Sequence, residues 1–449
     1  MNTRTTLILL AGALWAAACA PDDALPTDSA LDGQLEAAIT GAGYGGLSDY
    51  ALPDSDDLAA LPQDSNNPLT PEKVALGQLL FHETALAVAG QIDGTAGTFS
   101  CASCHNAAAG FQANRVQGIG EGGIGFGESG EGRTRAANVT VSQLDVQPLR
   151  TPTALNSGYQ ELMLWNGQFG ATGDNVGTER NWTEGTPKAT NALGFEGVET
   201  QAIAGLKVHR LEVSDRLLDE QGYRTLFDAA FPGFGESERY GNTAAGLAIA
   251  AYERTVVANR APFQRWLTGE VGALTDQQKR GAIAFFGDGN CASCHNGPSL
   301  ASMTFHALGM ADLHDNPEPV FGSTPAQAAH LGRGGFTMRA EEMYAFKTPQ
   351  LYNLEDSRFY GHGASFRDLR DVVAYKLAGV AENERVPTER LSPAFGAVRL
   401  SDEQVDDLVA FLAEGLYDAE LARYVPATLP SGNCFPNADP LSRSDLDCN

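Results

Sequence analysis

Two copies of one hexapeptide carry the most specific chemistry in this sequence. The run CASCHN occurs at residues 101–106 and again at 291–296. In a CxxCH motif the two thiols add to the vinyl groups of a haem, and the adjacent histidine ligates the iron. Zinc and thioredoxin-like sites fit less well, because neither a nearby second Cys/His pair nor a βαβ pattern is present. We therefore predict two covalently bound haem c groups, held by Cys101, Cys104, His105, Cys291, Cys294 and His295.

The other three cysteines fit an exported protein. Residues 1–19 combine Arg4, a short apolar stretch and small residues before Cys19, as in a signal peptide. The run before Cys19 resembles a lipoprotein processing site, which favours lipidation of Cys19 over ordinary cleavage nearby. Cys434 and Cys448 remain as a predicted disulfide. We expect a protein of the periplasm or outer membrane of a Gram-negative bacterium, with a lipid anchor as its one membrane attachment.

The charge of the chain restricts its partners. Fifty-six acidic and 30 basic side chains give a formal net charge of −26. Nucleic acid is excluded as a partner, because its phosphates require patches of lysine and arginine. A surface this negative favours a small basic protein, such as a cytochrome c, that docks by electrostatic steering.

The elements that position the motifs also repeat. Leu69-Thr70-Pro71 and Leu274-Thr275-Asp276 each open a predicted helix that runs toward a CxxCH motif. Alanine-rich residues 243–258 and the apolar stripe of residues 401–413 predict a helix that closes each unit. We predict an all-α fold of two tandem cytochrome c-like domains, each around one haem, with long irregular loops. The expected divisions are a signal peptide (1–19), an acidic flexible tether (20–66), an N-terminal haem domain (67–260), a C-terminal haem domain (261–426) and a disulfide-bonded tail (427–449).

The coordination of each iron decides the function. Two strong axial ligands make an electron-transfer haem, whereas an open position binds peroxide. The eighteen residues after His105 contain no His, Met or Tyr, and the next histidine is His209. We therefore predict that the first haem is five-coordinate.

A set of landmarks in constant order resembles the bacterial di-haem cytochrome c peroxidase and MauG family, over about residues 68–425. The landmarks flank both motifs and follow one another as Leu76-Gly77, Phe81, Thr151-Pro152-Thr153-Ala154-Leu155-Asn156, Trp165-Asn166-Gly167, Gln201-Ala202, Arg280-Gly281, Phe285, Phe305-His306, Leu308-Gly309, Phe346-Lys347-Thr348-Pro349 and Tyr360-Gly361-His362-Gly363. The resemblance implies two unequal haems, of which the first reacts with peroxide and the second transfers electrons.

The resemblance also implies roles around the first haem. Trp165 matches a tryptophan that relays oxidising equivalents between the haems, although a buried indole also serves simple packing. Gln201 matches a glutamine of the distal pocket. The family's proton-shuttling glutamate has no counterpart in register, so Glu212 is the first candidate and His209 the second. Glu121 stands where the peroxidases carry a histidine that caps the first iron, and we interpret it as a solvated loop carboxylate.

For the second haem, the family's distal Met or Tyr corresponds to Lys376, with Tyr375 beside it. A lysine amine ligates iron only when it is deprotonated, and tyrosinate would be a harder anionic donor, so both alternatives stay open. The family also binds Ca²⁺ between its haems, and Asn156 and Ser357 stand at the matching places.

These observations favour a peroxidase that reduces hydrogen peroxide to water with electrons from a small donor such as cytochrome c. Two alternatives remain. A MauG-like oxidase would direct the same chemistry at a side chain of a partner protein. A non-enzymatic electron-transfer cytochrome would carry two six-coordinate irons, which the lack of a local distal ligand after His105 disfavours.

Overall fold

The structure is a computed structural model, and it describes residues 29–448 of the chain. The predicted signal peptide and the lipidation of Cys19 lie outside the described residues. Within 29–448, no helix combines the length and apolar character needed to cross a membrane.

Helices dominate this part of the chain. In chain order they are α1 (Ser29–Gly41), α2 (Pro71–His82), α3 (Gly197–Val208), α4 (Arg224–Ala230), α5 (Glu236–Arg239), α6 (Asn242–Thr255), α7 (Pro262–Leu267), α8 (Asp276–Phe286), α9 (Gly332–Thr337), α10 (Leu369–Ala378), α11 (Asp402–Ala410) and α12 (Pro440–Asp445). Within residues 29–448, strand is confined to two antiparallel pairs of two residues each: β1 (Gly123–Ile124) with β2 (Thr134–Arg135), and β3 (Phe305–His306) with β4 (Phe346–Lys347). The helix-rich chain agrees with the all-α prediction, and long irregular segments join its helices.

Side-chain caps start the helices that lead into each motif. Thr70 caps α2 by accepting a hydrogen bond from the Lys73 amide, with Pro71 as the first helical residue. Thr275 and Gln278 form a reciprocal capping box at the start of α8. These helix starts are those that the sequence predicts.

The same helix crossing occurs in both halves. Helix α2 packs against α6, and α8 packs against α11. A Cβ atom on Gly77 would lie 1.9 Å from the Ala248 carbonyl oxygen, and one on Gly281 would lie 1.9 Å from the Asp407 carbonyl oxygen. Only glycine permits so close an approach of two backbones. The sequence repeat therefore encodes a repeated glycine-mediated crossing directly before each CxxCH motif.

The predicted flexible tether is wrong over residues 29–66. Leu35 and Ile39 of α1 are fully buried, and Asp32 forms an ion pair of 2.7 Å with the buried Lys279 of α8. The acidic composition of the segment obscured apolar residues spaced at i and i+4, which bury one face of α1 against the second half.

The C-terminal tail packs back onto the first motif. Cys434 and Cys448 form the predicted disulfide. Ser103, inside the first CxxCH, donates a hydrogen bond of 2.5 Å to the Asn437 side chain. Arg133 is buried and pairs with Asp439 at 3.3 Å. The tail thus covers one side of the first motif.

Candidate haem sites

Each motif forms one tight turn. Residues Cys101–Ser103 and Cys291–Ser293 are single 3₁₀ turns. The His105 amide donates to the Cys101 carbonyl at 3.1 Å, and the His295 amide donates to the Cys291 carbonyl at 2.9 Å. Both thiols and the imidazole of each motif are therefore presented by one turn, and all four cysteines are free thiols in the structure.

Both motif histidines have one ring nitrogen engaged with backbone carbonyls. His105 Nδ1 lies 3.2 Å from the Phe111 oxygen. His295 Nδ1 lies 3.1 Å from both the Leu300 and Pro349 oxygens. Burial lowers the pKa of His105 to about 4 and that of His295 to about 3. Neutral rings that donate from Nδ1 leave Nε2 available as a metal ligand, the arrangement that orients ligating histidines.

A cavity of about 330 Å³ opens beside the second motif. Cys291, Cys294 and His295 line it, and it extends past Lys376 to Trp165. The cavity therefore joins the second motif to the residue expected to relay electrons.

Two buried cations in this cavity have no anionic partner among the described residues. Arg150 donates to the Ser357 hydroxyl at 2.8 Å and to Gln112, and its Nε has no partner. Lys347 donates to the Leu162 carbonyl at 2.7 Å and to a glutamine amide. Burial lowers the pKa of Arg150 to about 10 and that of Lys347 to about 7. Unpaired buried cations are costly, so the cavity suits an anionic guest, and haem carries two carboxylates. The residues present fit the group.

The two candidates for the distal position of the second haem differ in orientation. Lys376 lines the cavity, and its Nζ has no hydrogen-bond partner among residues 29–448. Burial lowers its pKa, against the opposing effect of the thiols of Cys291 and Cys294. Tyr375 instead donates its hydroxyl to the Leu308 carbonyl at 2.6 Å. The geometry favours Lys376. Met310 also lines the cavity.

The two proton-transfer candidates differ in their contacts. His209 follows α3, and its Nδ1 lies 2.9 Å from an Asp145 carboxylate oxygen. Burial lowers the pKa of His209, but the Asp145 carboxylate outweighs burial, and the net pKa is raised. The positive charge of His209 contributes to lowering the pKa of His105. Glu212 is exposed, and its backbone amide donates to the Leu86 carbonyl.

Gln201 lies on α3, two turns before His209, and is half-buried. His209 is the C-cap residue directly after α3, so this helix and its cap carry both the predicted distal glutamine and His209.

Glu121 corrects a second interpretation. It is fully buried rather than solvated. Its carboxylate accepts hydrogen bonds from the backbone amides of Gln91 and Ile92 and from the Thr95 hydroxyl, and it pairs with Arg210. Burial raises its pKa, but these hydrogen bonds outweigh burial and the pKa is lowered. Glu121 is a structural anion that ties the glycine-rich residues 118–132 to residues 91–95, although the composition of that segment is typical of a solvated loop.

Trp165 lines the cavity beside the second motif. Its indole Nε1 donates to the Arg150 carbonyl at 2.8 Å, and its backbone carbonyl accepts from the Lys347 amide at 2.7 Å. The ring lies edge-on to His362, with a centroid distance of 6.4 Å. The side chain and the backbone of Trp165 are therefore each fixed by one hydrogen bond.

The residues expected to hold calcium do not fit that ion. The amide oxygen of Asn156 accepts from the Ala258 backbone amide at 3.0 Å. Ser357 Oγ accepts from the Arg150 guanidinium at 2.8 Å and donates to the Phe359 carbonyl at 2.5 Å. A guanidinium on the hydroxyl repels a second cation, and Ca²⁺ needs six to eight free oxygen ligands.

Sequence reasoning missed four contributors to these sites. Lys347 and His306 were only parts of landmarks, and Arg150 and Asp145 had no assigned role. His306 Nε2 lies 3.4 Å from Cys294 Sγ, and this hydrogen bond is the main cause of the lowered pKa of that thiol. Asp145 is 64 residues from His209 in the chain, so spacing carried no signal for the pair.

Comparisons with known proteins agree with this geometry. The family model described as di-haem cytochrome c peroxidase matches residues 71–272. Methylamine utilization protein MauG of Methylorubrum extorquens is 30% identical over 368 residues, 79% of this chain and 84% of that protein. Cytochrome c551 peroxidase of Pseudomonas aeruginosa is 25% identical over 346 residues, 77% of this chain and 79% of that protein.

A solved structure shares the fold. A MauG-like protein associated with microbial copper homeostasis aligns with a TM-score of 0.54 at 23% identity, and the alignment covers 82% of this chain and 94% of that one. The 30% identity to a MauG protein over most of both chains, with the match to the family model, shows that the chain belongs to the family of di-haem cytochrome c peroxidases and MauG proteins.

Proposed function

We propose that this protein reduces hydrogen peroxide to water with electrons from a small basic donor protein such as cytochrome c. The observation that carries the proposal is the unequal surroundings of two identical motifs. The His209–Asp145 pair acts electrostatically on His105, whereas the cavity beside His295 is lined by Lys376. When bound, haem c supplies an iron that cleaves peroxide at an open position, or passes electrons where both axial positions are filled.

The chain's own groups hold the two haems. The thiols of each motif would hold a haem through thioethers, and His105 and His295 would each supply a nitrogen ligand. In the cavity beside the second motif, Arg150 and Lys347 would pair with haem carboxylates, and Lys376 is the candidate second ligand. Such pairing would offset the desolvation of both cations and raise their pKa values.

His209 moves the proton in the first site. Reduction of peroxide requires a proton to pass from one oxygen to the other, and a neutral imidazole accepts it at Nε2. Asp145 holds the Nδ1 proton and stabilises the imidazolium that forms, which accounts for the raised pKa of His209. Gln201 supplies an amide that hydrogen-bonds the oxygens in place.

Trp165 carries the electron between the halves. Its indole proton is donated to a backbone carbonyl, which is not basic enough to remove it. Electron transfer through Trp165 therefore leaves the indole N–H in place, and no proton has to move in this part of the protein.

A MauG-like oxidase is the second candidate. The 30% identity to a MauG protein favours it. So does the buried anchoring of Glu121, because a carboxylate fixed by Arg210 and two amides cannot swing onto the first iron as a capping ligand. In that case His209 and Asp145 would transfer the same proton, and the oxidising equivalents would go to a side chain of a partner protein.

The proposal is tested by optical and electron paramagnetic resonance spectra of the purified holoprotein, recorded before and after addition of hydrogen peroxide. A second assay measures the peroxide-dependent oxidation of reduced cytochrome c. We expect one high-spin and one low-spin haem, a peroxide-dependent spectral change and oxidation of the donor. Two low-spin haems whose spectra do not change on addition of peroxide would refute both enzyme functions and support the electron-transfer cytochrome. A peroxide response without donor oxidation would refute the peroxidase and support the oxidase.

We also propose that the chain is exported and lipidated at Cys19. Mass spectrometry of the protein from its native host tests this, with a diacylglyceryl-modified Cys19 as the expected N-terminus. A mature N-terminus at another residue would refute the lipid anchor.

A further inference from the structure

Three metal-binding side chains cluster outside the haem-binding residues. Asp312, His314 and His330 place one potential ligand atom each within 4.8 Å of one another. All three belong to the segment between β3 and α9, and neither the haem motifs nor the proposed proton transfer uses them. Asp312 is 2% exposed and His330 is 4% exposed, so the cluster is largely shielded from water.

The two imidazoles face each other at ligand spacing. His314 Nδ1 and His330 Nε2 lie 3.3 Å apart, with ring planes at 74°. Two nitrogens bound to one tetrahedral ion at about 2.0–2.1 Å are separated by about 3.3 Å. The spacing of the two rings is therefore that of a shared ion.

His330 also has an unsatisfied nitrogen. Its Nδ1 is buried and has no hydrogen-bond partner, although it lies 3.3 Å from an Asp312 oxygen. Its Nε2 lies 3.3 Å from the Ser323 hydroxyl as well as from His314. Nδ1 therefore faces the Asp312 carboxylate, and Nε2 is the His330 nitrogen that would share an ion with His314.

Arg385 occupies the open side of the cluster. Its guanidinium lies 2.6 Å from His314 Nε2 and 2.8 Å from an Asp312 oxygen, and it also pairs with Asp315. The Arg385 side chain is 40% exposed and can turn into solvent. Two carboxylates against one guanidinium leave a net negative charge, which a divalent cation would neutralise.

We propose that Asp312, His314 and His330 bind a divalent transition-metal ion of the Zn²⁺ or Cu²⁺ class, and that Arg385 fills the site when the metal is absent. Two imidazoles and one carboxylate form a donor set typical of these ions, with water in the remaining position. Ca²⁺ and Mg²⁺ are disfavoured because they prefer oxygen ligands.

The ion would connect the cluster to the second haem cavity. Asp312 accepts a hydrogen bond of 3.1 Å from His362 Nε2, and both His330 and His362 line the cavity. A metal on Asp312 would therefore lie next to two of the residues that line that cavity.

The test uses untagged holoprotein, stripped with a chelator and titrated with Zn²⁺ by calorimetry. We expect saturation at one Zn²⁺ per chain, hence one zinc per two irons by elemental analysis. His330→Ala should weaken binding at least tenfold, whereas Arg385→Met should retain or tighten it, because the competing cation is gone. Glu318→Gln, an acidic side chain of the same loop outside the cluster, is the matched control and should bind as wild type.

Several results would overturn the proposal. The proposal is wrong if wild-type protein shows no saturable Zn²⁺ binding. That result is expected if a haem carboxylate forms a hydrogen bond with His330 and blocks the site. Unchanged affinity in His330→Ala would also overturn the proposal. If that variant fails to fold, His314→Gln removes a second donor and must weaken Zn²⁺ binding in folded protein with unaltered haem spectra.

Discussion

Replacement of His209 by glutamine distinguishes the two proton-transfer candidates. Glutamine keeps hydrogen-bonding capacity but cannot accept a proton near pH 7. A positioned general acid–base group contributes about 10²–10⁴-fold to rate. Because the His209 side chain is 37% exposed, water can partly replace it. We therefore expect a loss near the lower end, about 10²-fold in kcat/KM for peroxide, or about 2.7 kcal/mol of transition-state stabilisation.

The assay is steady-state oxidation of reduced cytochrome c at varied peroxide concentration, with haem content matched between variants. Glu212→Gln is the control, because its side chain is exposed, and it should retain activity within about twofold. If Glu212→Gln loses activity and His209→Gln does not, the assignment from geometry is wrong and the order inferred from the sequence is right.

Asp145→Asn tests the positioning role through pH. Asp145 raises the pKa of His209, and a general base acts in its neutral form, so activity rises as pH passes that pKa. The variant lowers this pKa, and the rising limb of the kcat/KM profile should move to lower pH while the maximum falls. An unshifted limb would contradict the pairing.

Three further predictions concern the second half of the chain and its cavity. Lys376→Ala should abolish the low-spin signal of the second haem, whereas Tyr375→Phe should preserve it, since the Tyr375 hydroxyl bonds a backbone carbonyl; an unchanged spectrum in both variants would refute ligation by either residue. Gly281→Ala should destabilise the holoprotein by about 1–3 kcal/mol and lower its Tm, because the new Cβ would lie 1.9 Å from the Asp407 carbonyl oxygen. Gly33→Ala is the control and should not lower the Tm, because no atom lies within 4 Å of the Cβ that it adds. Arg150→Met should lower the midpoint potential of the second haem in spectroelectrochemistry, because loss of a nearby positive charge favours the oxidised iron; a potential that is unchanged or higher would contradict the proposed pairing with haem carboxylates.

Local sequence signals were sufficient for the motifs and the helices that lead to them. The CxxCH spacing places three functional atoms on one turn, and caps such as Thr275 with Gln278 need only neighbouring residues. The disulfide of Cys434 with Cys448 followed from assigning every other cysteine first. The repeat of Gly77 and Gly281 was visible in the sequence. The reason for these glycines was not visible, because each contacts backbone about 130–170 residues away in the chain.

The tertiary structure decided the partners of each functional side chain. The predictions of a flexible segment at residues 29–66 and of a solvated Glu121 were wrong. Both rested on composition, and average polarity does not show which face of a segment is buried or how many hydrogen-bond donors surround a carboxylate. The unpaired cations Arg150 and Lys347, the His209–Asp145 pair and the Asp312–His314–His330 cluster join residues from distant or irregular segments. The sequence by itself predicted two identical haem-binding motifs, since that chemistry is local. Packing decided that the motifs are unequal, because pKa, access and charge depend on every element around a site.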